Sequence, residues 1–449
     1  MEIVSRGAQI IASLAIHARR FRNFVVAKGW RHWAVAGAIL VAASLATPYV
    51  DEALNLVRLR YWLYQELAAL APRALEPHYA RVLLIGDDEF WKGAPEGRRP
   101  IKRDYLAAIV RALDAADVSV IALDFDVRLG DPEAQVRPGA LEAITPSYRA
   151  ETEQLMQAIA AAADKRPIVL SKAIWFGERD PDARRFIADI YQPYGICTGF
   201  DAKGHWRNPG VPPAFVLTPA AQRNISCGYI ALPYDMRRLP PPIEIEGQDS
   251  TLDSFSLAIA KAHDADRFAA AGARAYYGSY IAEATLKNAH VTFSAGDLLH
   301  GNDAVRADLR RELQHKPVIV GGDWHLTQYG LGSVVDIHET PIGWINGAVI
   351  HENFVEAMLD GRSYAYVPAW LLDTLEVMFG VAAALVFAAY SGFRVKLLVF
   401  AIFTLGLVFI QWLMLQLFGT FFEAFLPLLA LWLHSVIERF VGHPSAAAI

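Results

Sequence analysis

The sequence predicts an α/β, extracytoplasmic three-layer domain with a largely parallel sheet, joined to four transmembrane helices, one N-terminal and three C-terminal. Three observations predict it. Apolar residues make up 54% of the 449-residue chain, more than a water-soluble protein needs, and the excess collects in residues 33–50 and 371–440. Between those blocks, short continuous apolar runs alternate with helical patterns, as in a parallel sheet covered on both faces. Finally, the basic residues beside the apolar blocks all fall on one side of a membrane crossed four times. The net charge of −5 is mild, and no basic run is interleaved with aromatics. Nucleic acid is thereby excluded as a partner.

Residues 1–30 form a basic tail, in which Arg6, Arg19, Arg20, Arg22 and Lys28 stand against Glu2 alone. Positive charge stays on the cytoplasmic side, so this tail is expected inside, ahead of a transmembrane helix over 31–50. Ser44-Leu45-Ala46 resembles the small-residue site of a cleaved leader, but a basic region of about thirty residues is too long for one. An uncleaved anchor is expected.

Residues 51–368 form the extracytoplasmic domain. Leu56, Leu59, Leu63, Leu67 and Leu70 fall at three- and four-residue steps, so a helix continues over 51–78. Continuous apolar runs at 82–85, 118–123, 168–170 and 318–320 predict strands buried on both faces. The first two flank a helical pattern of Tyr105, Leu106, Ile109, Val110 and Leu113, and residues 152–163 supply another before the third. Residues 175–250, rich in Pro, Gly and aromatics, read as a loop-rich insertion ahead of a helix over 252–263. Transmembrane helices follow at 369–391, 396–418 and 420–441, with a cytoplasmic tail at 442–449. Arg394 and Lys396 lie in the turn between the first two of these, and Arg439 lies at the end of the last. All three return to the side of the N-terminal tail.

Several stretches in order carry a family resemblance. They are Arg99-Pro100-Ile101-Lys102-Arg103, Val120-Ile121-Ala122-Leu123-Asp124-Phe125, and Gly228 through Asp235-Met236-Arg237-Arg238-Leu239-Pro240. The most specific is the closing signature, residues 316–322, then Asp336-Ile337-His338-Glu339-Thr340-Pro341-Ile342-Gly343, then 347–353. Together these resemble the second type of CHASE domain, the extracytoplasmic sensory domains associated with cyclases and histidine kinases. The resemblance implies one leading and three trailing spans, and a sensory role. Gly321-Gly322-Asp323 departs from the usual Gly-Ala-Thr. Such chains commonly continue into a cytoplasmic kinase or cyclase, whereas this sequence ends shortly after its last span. A stand-alone sensor that signals to a separate effector in trans is therefore expected. It would lie in a bacterial inner membrane, with its large domain in the periplasm and homo-oligomerisation open to it. A structural subunit of an envelope complex and a membrane-anchored hydrolase are the alternatives.

Ligands of open α/β sheets sit beyond the carboxyl ends of the strands, and polar residues collect there. Asp87 and Asp88 follow the first run, Asp124 and Asp126 end the second, and Asp336, His338 and His351 follow the last. Convergent carboxylates suit Ca²⁺ or Mg²⁺, and carboxylates with two histidines suit Zn²⁺, so the metal, if any, stays open. In the competing reading the aspartates cap helices and loop amides. No cofactor is expected, because no phosphate loop, serine elbow or His-Glu-x-x-His helix is present. Cys197 and Cys227, the only cysteines, fall on the periplasmic side, where thiols tend to pair. A disulfide is expected, with two unpaired buried thiols as the alternative.

Overall fold

A computed structural model describes residues 30–54, 78–98, 101–125, 146–172, 217–232, 242–244, 251–271, 290–327, 333–340, 343–360, 369–389, 392–418 and 425–441, with a few isolated positions between them. The chain divides into two compact units, Met1–Leu63 with Ala365–Ile449, and Tyr64–Tyr364. In chain order the elements begin with α1 (Trp30–Leu54), β1 (Arg81–Gly86), α2 (Asp87–Lys92), α3 (Arg103–Ala115), β2 (Val120–Leu123), α4 (Pro146–Ala163) and β3 (Ile168–Lys172). Next come α5 (Pro219–Asn224), β4 (Ile225–Tyr229), β5 (Ile243–Glu244), β6 (Thr251–Leu252), α6 (Phe255–His263), α7 (Ala265–Ala271) and β7 (Thr292–Ser294). The remainder is α8 (Ala295–His300), α9 (Asp303–Leu313), β8 (Pro317–Asp323), β9 (Ile337–Thr340), β10 (Gly343–Asn346), α10 (Gly347–Leu359), α11 (Ala369–Ala389), α12 (Phe393–Phe418) and α13 (Phe425–Val441).

In the second unit, six strands form a parallel sheet in the order β4-β3-β2-β8-β1-β7. Alternate residues of each central strand enter opposite cores. Leu83, Ile121, Leu170 and Val320 meet α3, α4, α8 and α9 on one face. Val82, Val120, Val169 and Ile319 meet α6 and α10 on the other. The four expected strands are β1, β2, β3 and β8, each a run with almost no exposed side chain. Two strands of this sheet were not expected. β4 falls inside the segment read as loop-rich, and β7 precedes α8. Both are sheet edges with partly exposed, mixed sequences, so neither carries a continuous apolar run. The helix expected over 51–78 lies largely outside the described residues, and α1 runs to Leu54.

Helix placement follows the direction of chain travel. Steps toward β4 use helices on the first face, while the long step from β4 to β7 uses α6 on the second. Parallel crossovers keep a single hand, which forces that change of face. Two glycines let the second face lie close. A Cβ at Gly228 would come 2.5 Å from the Phe255 Cα, and one at Gly321 would come 2.5 Å from the Ala348 Cβ.

In the first unit, α1, α11, α12 and α13 pack around Leu40, Phe387, Leu407 and Leu428. Gly380 carries no Cβ that would meet a Leu40 methyl group at 2.2 Å, so α11 and α1 approach closely. Lys396 is buried in this bundle and donates to the Ser435 carbonyl at 2.5 Å. By length and composition, two helices among the described residues are apolar enough to cross a membrane, Trp370–Ala389 and Phe393–Met414. The sequence reading expected four. The apolar helical stretches of α1 and α13, Trp33–Ala43 and Phe425–Ile437, are shorter.

Replacing Gly228 with alanine forces its Cβ into the α6 backbone, which cannot yield as a flexible side chain would. The Gly228→Ala variant is expected to lose about 1–3 kcal/mol, as overpacked cores do, read as a lower midpoint in thermal melts of the purified protein.

Candidate functional site

Strands β1, β8 and β2 end side by side. β8 leads onward to α10 on one face, while β1 and β2, on either side of it, lead to α3 and α4 on the other. A crevice opens where neighbouring strands send their chains to opposite faces. Here that place is the carboxyl end of β8.

Asp87 opens α2 immediately after β1 and turns toward the residues beyond β8. Its Oδ1 accepts the His325 backbone N–H at 2.7 Å, and its Oδ2 lies 2.6 Å from His325 Nδ1. Burial alone would raise this carboxyl. The backbone and ring of His325, helped by Lys92, outweigh it and hold Asp87 below the usual range. The indole of Trp91 donates to the His325 carbonyl at 3.3 Å. Between these anchors, Trp324 stacks on Phe90 at 4.1 Å and 6°, and Phe125 lies parallel to Trp324 at 6.4 Å and 2°.

Beside this stack lies a cavity of about 330 Å³. Its walls include Arg103, Phe125 and Trp324, and Asp124 and Asp336 both face it. Asp124 follows the last residue of β2, where the strand's alternation turns its side chain out of the first core. Burial and the neighbouring Asp336 carboxylate hold the Asp124 carboxyl well above the ordinary range. Asp336 sits just before the β9–β10 hairpin with a left-handed backbone, φ 52°. Its carbonyl accepts the Gly347 N–H at 2.8 Å, and its Oδ1 lies 2.9 Å from His338 Nε2. Its carboxylate rests against Gly347, where a Cβ would come 2.2 Å from Oδ2. Only glycine leaves that space.

His351, one turn further along α10, is buried, with Nδ1 2.9 Å from Ser256 Oγ on α6 and the Ile230 backbone as a second partner. Burial is the main cause that pushes its pKa down to about 4; His338 adds to that, and Asp336 opposes it. Asp323, at the end of β8, is raised by burial and by Asp87, with His325 and Asn346 opposing. Asn346 caps α10 by accepting from the Ala348 N–H at 3.0 Å, and it donates to the Gly322 carbonyl at 2.6 Å.

The structure therefore brings Asp124, Asp336, His338 and His351 together, and places Asp87 with His325 beside them. Asp88 does not join. Its side chain is exposed and pairs with Lys92 at 2.6 Å. Asp126 and Cys197 lie outside the described residues, while Cys227, on β4, is disulfide-bonded. Among the described residues, no group of three His, Cys, Asp or Glu side chains is placed to hold a metal ion. Sequence reasoning missed His325 and Trp324, although both follow the β8 run directly. It noted Arg103 without giving it a place in the site. Arg103 is buried and donates from Nη1 to Thr152 Oγ1 at 3.1 Å, while Glu151 accepts its backbone N–H at 3.2 Å and pairs with Arg98.

The family model for the CHASE2 domain matches residues 34–390, well over half of the chain. No curated protein and no solved structure matches it.

A carboxyl raised by the fold stabilises the folded state only below its unfolded pKa, and the benefit is lost as pH rises through the folded value. Above that range Asp124 costs stability beside Asp336. Asp124→Asn is therefore expected to melt higher than the parent at neutral pH. The gain should shrink to nothing as pH falls below about 4, the ordinary aspartate range. Parallel melts of both proteins across that window make the measurement. A variant no more stable at neutral pH would contradict the repulsion.

Proposed function

The chain belongs to the CHASE2 domain family, a family of extracytoplasmic sensory domains, and on that footing we propose that it is a membrane-anchored receptor for a small molecule in the periplasm. The single observation that carries this reading is the cavity at the carboxyl end of β8, at the switch point where such sheets take their ligands. In this reading α11 and α12 cross the inner membrane, and the shorter apolar helices α1 and α13 complete a four-span bundle. The basic residues Arg394 and Lys396, between α11 and the body of α12, favour a cytoplasmic turn there.

Helix α10 supplies a route for the signal. Its first residues hold Asp336 and its middle carries His351, so it forms part of the ligand end. Its last turns carry Glu356, whose Oε1 accepts the backbone N–H groups of Tyr79 and Ala80, at 2.7 Å for the latter. One buried helix thus touches both the cavity side and the point where the chain enters the sheet. A ligand shifts such a helix only by favouring one of two arrangements. The output is conformational rather than catalytic, and a separate protein receives it in trans.

Reporter fusions test the arrangement. Alkaline phosphatase joined after Gly301 is expected to be active in a bacterial host, and joined after Ser445 inactive. An active tail fusion would sink the four-span orientation. For sensing itself, native mass spectrometry of the gently extracted chain is expected to show a bound small molecule that a wash with denaturant releases.

A further inference from the structure

We propose that the cavity takes an organic monocation, a primary ammonium carried on a small aromatic or apolar body. The inference rests on the sensory reading for the purpose of the cavity, and on the walls alone for its chemistry.

The volume sets the size. At about 330 Å³ the cavity lies at the low end of ligand pockets, which run from about 300 to 1,000 Å³. It suits a body of one ring rather than a nucleotide or a peptide. The walls set the character of that body. Ile101, Leu106, Val127 and Val335 are apolar, and Phe125 and Trp324 add parallel aromatic rings. Such faces attract a ring by stacking and a cation by its charge.

The polar end sets the charge. Asp124 accepts no hydrogen bond from the protein among the described residues, and the charge it faces is the like charge of Asp336. Its side chain is half-buried on the cavity wall, where a donor entering the cavity can reach it, and polar groups so placed are normally hydrogen-bonded or paired. An ammonium brings three donors and a positive charge. Placed between the two carboxylates, it turns their repulsion into attraction. Asp336 is presented rigidly for that role by its left-handed backbone, by Gly347 and by His338.

A metal ion fits less well. Calcium takes six to eight oxygen ligands, and beyond the two carboxylates this wall offers apolar side chains and the Arg103 guanidinium. An anion would meet two carboxylates at close range. Arg103 reaches the cavity from α3 and is engaged with Thr152 on α4; it lines the wall as the counterpart of the acidic end.

Three probes on one skeleton separate charge from shape: phenethylamine, phenethyl alcohol and hydrocinnamate. Each is titrated into the detergent-extracted full chain by calorimetry. The amine is expected to bind at least about tenfold more tightly than the alcohol, the scale of one charge-assisted hydrogen bond, and hydrocinnamate is expected to bind weakest. Asp124→Asn should lose that advantage for the amine and leave the alcohol unchanged, an outcome misfolding would not give. Equal or tighter binding of the alcohol or of hydrocinnamate overturns the proposal, as does undiminished amine binding to Asp124→Asn. Failure of all three probes to bind overturns it too. None of these failures touches the topology reading, which stands or falls on the reporter fusions.

Discussion

Strand β8 runs through the middle of the sheet, hydrogen-bonded to β1 on one side and β2 on the other, with Val318, Ile319 and Val320 wholly buried between two layers of helices. Everything else in the domain is arranged around that double burial. A strand covered on both faces has no polar positions along its length, so polar chemistry is driven to its ends. The crossovers keep one hand, so the chain must change face once it has filled β2, β3 and β4. Those two rules together open a gap at the carboxyl end of β8 and nowhere along the strand itself.

The gap concentrates negative charge, and the fold handles each carboxylate differently. Asp87 is bound by the backbone and ring of His325, which lowers it. Asp336 is held by His338 and by its own constrained backbone. Asp323 has Asn346 and His325 against the influence of Asp87. Asp124 is raised by burial and by the neighbouring Asp336 charge, with no partner that opposes them as His325 and Asn346 do for Asp323. Stability would favour an asparagine there, so the carboxylate carries a cost that folding does not require. Costs of that kind concentrate at sites that bind or react.

How much of this was legible in the sequence follows from where each residue sits. β1, β2, β3 and β8 were readable because interior strands must be continuously apolar. β4 and β7 were not, because an edge strand such as Ile225–Tyr229 mixes Ser, Cys and Gly among its apolar residues. Asp124, Asp336, His338 and His351 could be nominated because strand ends carry ligands. Asp88 was a false companion of Asp87: α2 begins at Asp87, and one residue along a helix rotates a side chain by roughly 100°, so Asp88 faces solvent. His325 escaped notice because its partner, Asp87, lies 238 residues away, and only the pairing of β1 with β8 brings them together. The apolar blocks were legible by hydropathy, and α11 and α12 fall within them.

The hold of Glu356 on Tyr79 and Ala80 has a mechanical consequence. The chain enters the sheet at β1 and leaves it through α10, and one carboxylate ties the two together at that seam. Tension applied between the entering and leaving segments loads this tie before it reaches the ladder between β1 and β8. The tie amounts to a few hydrogen bonds on one side chain, whereas the ladder runs the whole length of β1. Under strain the seam parts first and the sheet stays whole. The domain can thus give way at one defined place while its centre keeps its shape.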